Sequence, residues 1–208
     1  LTRNRDPFHQ ALGSLRLRVE QGFYGAGQPV VIVEEARRLR LSTTPVREAL
    51  AWLAGAGLVE RAPLGGYVTL QLDPATVRDR LAFRLHCLRL SLDGTAGLPA
   101  ASAPDEEGVR AMLHRDLDRL VQSSGSDALL DAFRRVSSRL AQIRGAEEQV
   151  FADLDDEAAG ISTLLAQADI QALEIALSRY HHRRMEAAAL LVLETMTGTP
   201  SDAGEDAP

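Results

Sequence analysis

Five histidines, 29 acidic residues and a single cysteine are the side chains from which a hydrolytic, redox or metal centre would have to be built. Their spacing argues against all three. The sequence has no H-x-x-x-H pair, no phosphate-cradling glycine loop and no pairing of a nucleophile with a base. His181 and His182 are adjacent, so on a helix their rings diverge by about 100° and do not converge on one ion. His114 and Asp118 have the i, i+4 spacing of a solvated helical pair. The acidic runs DLDDE and PDEE suit helix starts or solvated faces, and the apolar neighbours of Cys87 predict a buried, inert thiol. No enzyme is expected. Holding phosphate and touching base edges needs different parts: short hydroxyls, a cation and bare backbone. Residues 41–70, LSTTPVREALAWLAGAGLVERAPLGGYVTL, supply them as Ser42, Thr43, Thr44, Arg47, Gly65 and Gly66.

The elements that must position these residues can be read from periodicity. Apolar residues at 8, 11, 12, 15 and 19 make one helical stripe, ended by the glycines and proline of GFYGAGQPV. A short helix follows over Val33 to Arg40. Thr44 is expected to cap the next helix, with Pro45 at its first position and Glu48 favouring its positive end. Val46, Ala49, Leu50 and Leu53 form the buried face, with Trp52 at an edge. Gly55 and Gly57 close that helix, and LVER and YVTLQL read as strands joined by APLGG. This order is a winged helix-turn-helix. Such a helix offers its amino-terminal turn to a major groove, while a glycine-tipped wing brings backbone against the sugar-phosphate ridge.

Beyond Asp73-Pro74 the pattern becomes long helical segments at about 75–95, 105–122, 127–145, 148–167 and 169–196. The fold class expected is therefore mainly α, a winged helix-turn-helix at 1–72 followed by an all-α bundle at 73–196. The tail 197–208 lacks apolar residues and is expected to be disordered. Charge divides at the same place. The first 72 residues carry nine arginines against six acids, whereas the remainder carries an excess of nine negative charges. A basic module joined to an acidic one fits a phosphate-binding half and a half with another task. No apolar leader opens the sequence and no membrane span is present, so a cytoplasmic location is expected.

Three blocks at matching separations, TPVREAL at 44–50, GLVER at 57–61 and GGYV at 65–68, resemble GntR-type transcriptional regulators. VEQGFYGAGQPV at 19–30 is similar to an upstream family motif, with Ala26 where a proline usually falls. The likeness covers about residues 8–194 and is narrowest for the FadR-like branch with an all-helical FCD effector domain. It implies a homodimer that binds a palindromic operator in double-stranded DNA through Ser42, Thr43, Thr44, Arg47, Gly65 and Gly66. Thr43 departs from the arginine common at that position, which implies an altered or weaker preference. FCD domains typically hold a divalent metal through an Asp and three His; the matching positions here are Leu113, Leu117, Ala158 and Tyr180. No metal or other cofactor is therefore expected, although a one-residue slip would put His181 at the third histidine.

The resemblance also implies a small-molecule effector, with an organic acid favoured. Arg84 lies near the position at which many members receive an effector carboxylate. His86 and Arg89 share its helix, and Tyr180 and His181 complete the expected binding set. Two functions stay open at this point: a ligand-responsive repressor or activator, and a winged-helix interaction module or ligand-blind regulator with a degenerate pocket.

Overall fold

The structure, a computed structural model, describes residues 6–94, 97–99 and 108–197. The expected helix start at 105 and nearly all of the tail at 197–208 fall outside these residues. The chain forms two compact units. One comprises residues up to Leu72 together with Ala141–Ala146 and the residues from Val192; the other comprises Asp73–Leu140 and Glu147–Leu191. No helix among the described residues is long and apolar enough to cross a membrane.

In the first unit, helix α1 spans Pro7–Glu20, one residue longer at each end than the stripe predicts. Asp6 caps it by accepting from the Phe8 amide, and Pro7 takes the first position, where a missing N–H costs nothing. Strand β1 is Pro29–Val30, and α2 follows at Ile32–Leu39. Arg40 closes α2 in the left-handed region at φ 55°, and the Leu41 amide reaches back to the Ala36 carbonyl. Helix α3 is Thr43–Gly55. Its buried residues are Val46, Ala49, Leu50 and Leu53, the face expected from spacing. These four pack with Ala11, Leu15 and Val19 of α1 and with Val30, Ala36, Leu58 and Val59 in one core. Trp52 lies off that face and is 48% exposed.

The helix start differs from expectation at one point. Ser42, not Thr44, occupies the position before the first helical residue, because the helix begins one residue before Thr44; Pro45 consequently falls at the third helical position.

Strands β2 (Val59–Arg61) and β3 (Tyr67–Thr69) form the wing, and β1 joins the other edge of β3 in an antiparallel sheet of order β1-β3-β2. The two-residue β1 was not legible, since so short a segment has no alternation to read. A buried hydroxyl fixes this sheet. Thr69 Oγ1 accepts from the Gln28 amide at 3.0 Å and donates to the Gly25 carbonyl at 2.5 Å. Glu35 does similar work between the helices. Buried at 4% exposure, it takes two hydrogen bonds from Arg38, at 2.9 and 2.6 Å, and lies 3.5 Å from Arg18.

The second unit is helical. Its elements are α4 (Pro74–Gly94), α5 (Val109–Ser123), α6 (Asp127–Leu140), the greater part of α7 (Arg144–Val150), α8 (Leu154–Gln167), α9 (Ile170–Glu186) and the start of α10 (Ala188–Thr197). Two expected helices are interrupted. The segment 127–145 breaks into α6, a 3-10 turn at Ala141–Ile143 and α7; the segment 169–196 breaks at Ala187 between α9 and α10. Neither break carries a glycine or proline that would have announced it. Leu88, Leu113, Leu117, Leu120, Leu173 and Leu177 centre the core, with buried Cys87 among them. Burial pushes the Cys87 thiol upward, away from the reactive thiolate.

Candidate nucleic-acid interface and helical interior

The start of α3 is open to solvent. Ser42, Thr44 and Arg47 are exposed and Thr43 is half-buried. The Ser42 side chain makes no capping hydrogen bond and lies exposed at the positive end of the helix. The wing turn is closed by the Ala62 amide on the Gly66 carbonyl at 3.1 Å and the Gly65 amide on the Ala62 carbonyl at 2.9 Å. Gly65 and Gly66 have φ of +95° and +84°, a conformation that side chains rarely adopt. Both are exposed.

Sequence reasoning did not single out other residues of this surface. Arg37 and Arg40 are exposed at the end of α2, just before Ser42, and the run ARRLR was the available signal. Arg61 is exposed on the wing with its guanidinium 5.9 Å from the Tyr67 ring, and Leu64 stands fully exposed at the tip.

No sequence profile of a known protein family matches the chain. A curated protein of Agrobacterium vitis, described as an uncharacterized HTH-type transcriptional regulator in the TAR-I ttuE-ttuC' intergenic region, is 29% identical over 113 residues. That match covers 53% of this chain and 63% of the relative's length. Among solved structures, a putative transcriptional regulator GntR from Rhodococcus sp. RHA1 superposes with a TM-score of 0.67 at 16% identity, over 87% of this chain and 96% of that one. E. coli McbR/YncC superposes with a TM-score of 0.62 at 15% identity, over 88% of this chain and 97% of that chain. This is the fold of a GntR-type regulator. In that fold the winged unit precedes a helical unit, whose interior is the second place to look for a site.

The five residues expected to bind effector do not share one surface. Arg84, Tyr180 and His181 are buried, at 5%, 7% and 0% exposure. His86 and Arg89 are exposed on the opposite side of α4, where Arg89 bonds Ser178 at 3.0 Å. The Arg84 Nε donates to Ser137 Oγ at 3.0 Å, its Nη1 lies 2.9 Å from His181 Nε2, and the guanidinium sits 5.0 Å from the Phe133 ring centre. Arginine only donates, so His181 Nε2 accepts; Nδ1 then carries the proton and donates to the Leu177 carbonyl at 2.7 Å. The imidazole is neutral and both its nitrogens are engaged.

Leu113, Leu117, Ala158 and Tyr180 all belong to the buried core cluster, and His181 has no lone pair left to coordinate. Among the described residues no group of three or more His, Cys, Asp or Glu is placed to hold an ion.

Burial first, and the Arg84 charge second, hold His181 well below the ordinary 6.5. The unfolded chain takes up a proton near that value while the folded chain does not. Stability is therefore expected to be full above about pH 6.5 and to fall on acidification below it, by up to about 1.4 kcal/mol per pH unit. Urea midpoints between about pH 8 and pH 5 measure this. His181→Gln should flatten the slope relative to the parent chain.

A second buried cation was not foreseen. Arg184, 2% exposed, lies 3.0 Å from Glu147 and 2.8 Å from Glu157, and also donates to the Tyr180 carbonyl at 3.0 Å. The Glu157 contact is a charge contact without hydrogen-bond alignment. The guanidinium stacks 3.5 Å from the centre of the Tyr180 ring.

Proposed function

We propose that the chain is a transcriptional regulator that binds a palindromic operator in double-stranded DNA as a homodimer and responds to a small organic acid. The observation that carries the DNA reading is the exposed start of α3. Ser42, Thr43, Thr44 and Arg47 bring three hydroxyls and one cation together at the positive end of the helix, on a GntR-type fold whose wing ends in bare glycine. Helix amides and Arg47 take phosphate, the hydroxyls reach base edges, and Gly65 and Gly66 let the wing backbone approach the sugar-phosphate ridge.

Arg84 supports the effector reading. Two of its partners are a neutral hydroxyl and a neutral imidazole, both weaker acceptors for guanidinium than a carboxylate. Tyr180 and His181 line the same interior; His86 and Arg89 are not part of it. Residues 73–191 would couple occupancy of that interior to the operator-binding unit through the junction near Leu72.

Selection of bound sequences from random duplex DNA tests the first claim, and a palindrome is the expected product. Arg47→Ala should then weaken binding and reduce the slope of log affinity against log salt by about 0.9, the share of one phosphate contact. An unchanged slope would remove Arg47 from the interface. A thermal-shift screen with organic acids tests the effector, with Arg84→Met as the variant expected to lose the response.

A further inference from the structure

We infer that the outer face of α6 is a self-complementary docking surface for a second copy of this chain, with α6 crossing its own counterpart antiparallel about a two-fold axis. The inference rests on the homodimer reading and assigns it a surface. A groove of about 540 Å³ runs between α4 and α6, and the exposed Phe83 ring, Ala128 and Ala132 are among the residues that line it. A half-exposed phenylalanine beside two alanines is an apolar seat into which a neighbouring helix fits closely.

The charges along α6 specify which neighbour. Asp127 and Asp131 occupy its first half, Arg135 and Arg139 its second, each four residues from the next and so on one stripe. The helix's own apolar residues Leu130, Phe133, Val136 and Leu140 point into the core and leave this stripe outside. Among the described residues none of the four lies within 4 Å of an opposite charge, Asp131 being only electrostatically coupled to Arg134, and Asp131, Arg135 and Arg139 line the groove. The Arg139 Nε is shielded from solvent and lacks a hydrogen-bond partner.

An antiparallel copy centred on residue 133 places Asp131 opposite Arg135 and Asp127 opposite Arg139, and the two-fold axis repeats both pairs. This is the isologous arrangement in which one patch satisfies itself. A partner of uniform charge would leave one half of the stripe repelled.

Charge reversal in the full chain, read as mass by sedimentation equilibrium, tests the assignment. The parent chain should be a dimer. Asp131→Arg sets arginine against Arg135 of the copy, and Arg135→Asp sets aspartate against Asp131; the two-fold axis makes each like-charge contact twice, so each variant should raise the dimer dissociation constant at least tenfold. An equal mixture of the two variants should recover the parent dimer, because each then meets its opposite. Circular dichroism of each variant checks that these exposed substitutions leave the helices intact. A parent chain that stays monomeric, single variants with the parent's dissociation constant, or a mixture that fails to reassociate would overturn the inference. A dimer that obeys the charge pattern but selects no DNA sequence would instead sink the operator reading and leave this surface standing.

Discussion

Thr44→Asp is expected to lower affinity for the selected duplex by at least about tenfold while leaving the chain as stable as before, or more stable. Residue 44 is the second residue of α3 and is exposed. A carboxylate there interacts favourably with the helix's positive end, which contributes about 0.3–1 kcal/mol. The same negative charge lies where the proposed interface receives phosphate. Folding and binding thus respond with opposite sign. Anisotropy titrations with labelled duplex, run beside a thermal melt, measure both. Full affinity in a folded Thr44→Asp protein would place the DNA elsewhere on the molecule.

The second large effect lies in the helical unit. Arg184→Ala should destabilise that unit by about 3–5 kcal/mol, the usual cost of stripping one partner from a buried ion pair. The substitution leaves Glu147 and Glu157, only 13% and 14% exposed at the side chain, without their shared cation, so that only Glu157 keeps an arginine, Arg183 at 3.3 Å. Removing all three charges together, as Arg184→Met with Glu147→Gln and Glu157→Gln, should recover much of the loss, because no uncompensated charge then stays inside. Urea denaturation followed by circular dichroism reads the difference. A loss below about 1 kcal/mol for Arg184→Ala would mean that water reaches the acids and that the cluster behaves as a surface pair.

These two predictions differ in how far the sequence alone leads to them. The residues of the α3 start were legible because an amphipathic run, a proline and two glycine clusters constrain one another over thirty positions, and the buried face of Val46, Ala49, Leu50 and Leu53 follows from spacing alone. The shift of the cap position from Thr44 to Ser42 was not legible, since three consecutive hydroxyl residues all suit a helix entry. In the helical unit, periodicity assigns charged residues to the outside, which hides Arg184 and leaves Arg84 to be singled out by family resemblance alone. Only the tertiary placement of Ser137, Glu147 and Glu157 accounts for guanidinium groups in a core. The same limit explains why His86 and Arg89 were grouped with Arg84. One helix carries all three, but α4 turns two of them outward. The break at Ala187 has no local signal; the charge pattern of α6 was present in the sequence but had no meaning until its inner face was known.

The position of Trp52 gives the molecule an optical reporter. It is the sequence's sole tryptophan, it belongs to α3, and it is half in solvent. Indole emission therefore follows the winged unit alone, while far-ultraviolet ellipticity is dominated by the helices of the other. Loss of the two signals at different denaturant concentrations would resolve the melting of each unit without cutting the chain, and quenching by added duplex would register occupancy without a label.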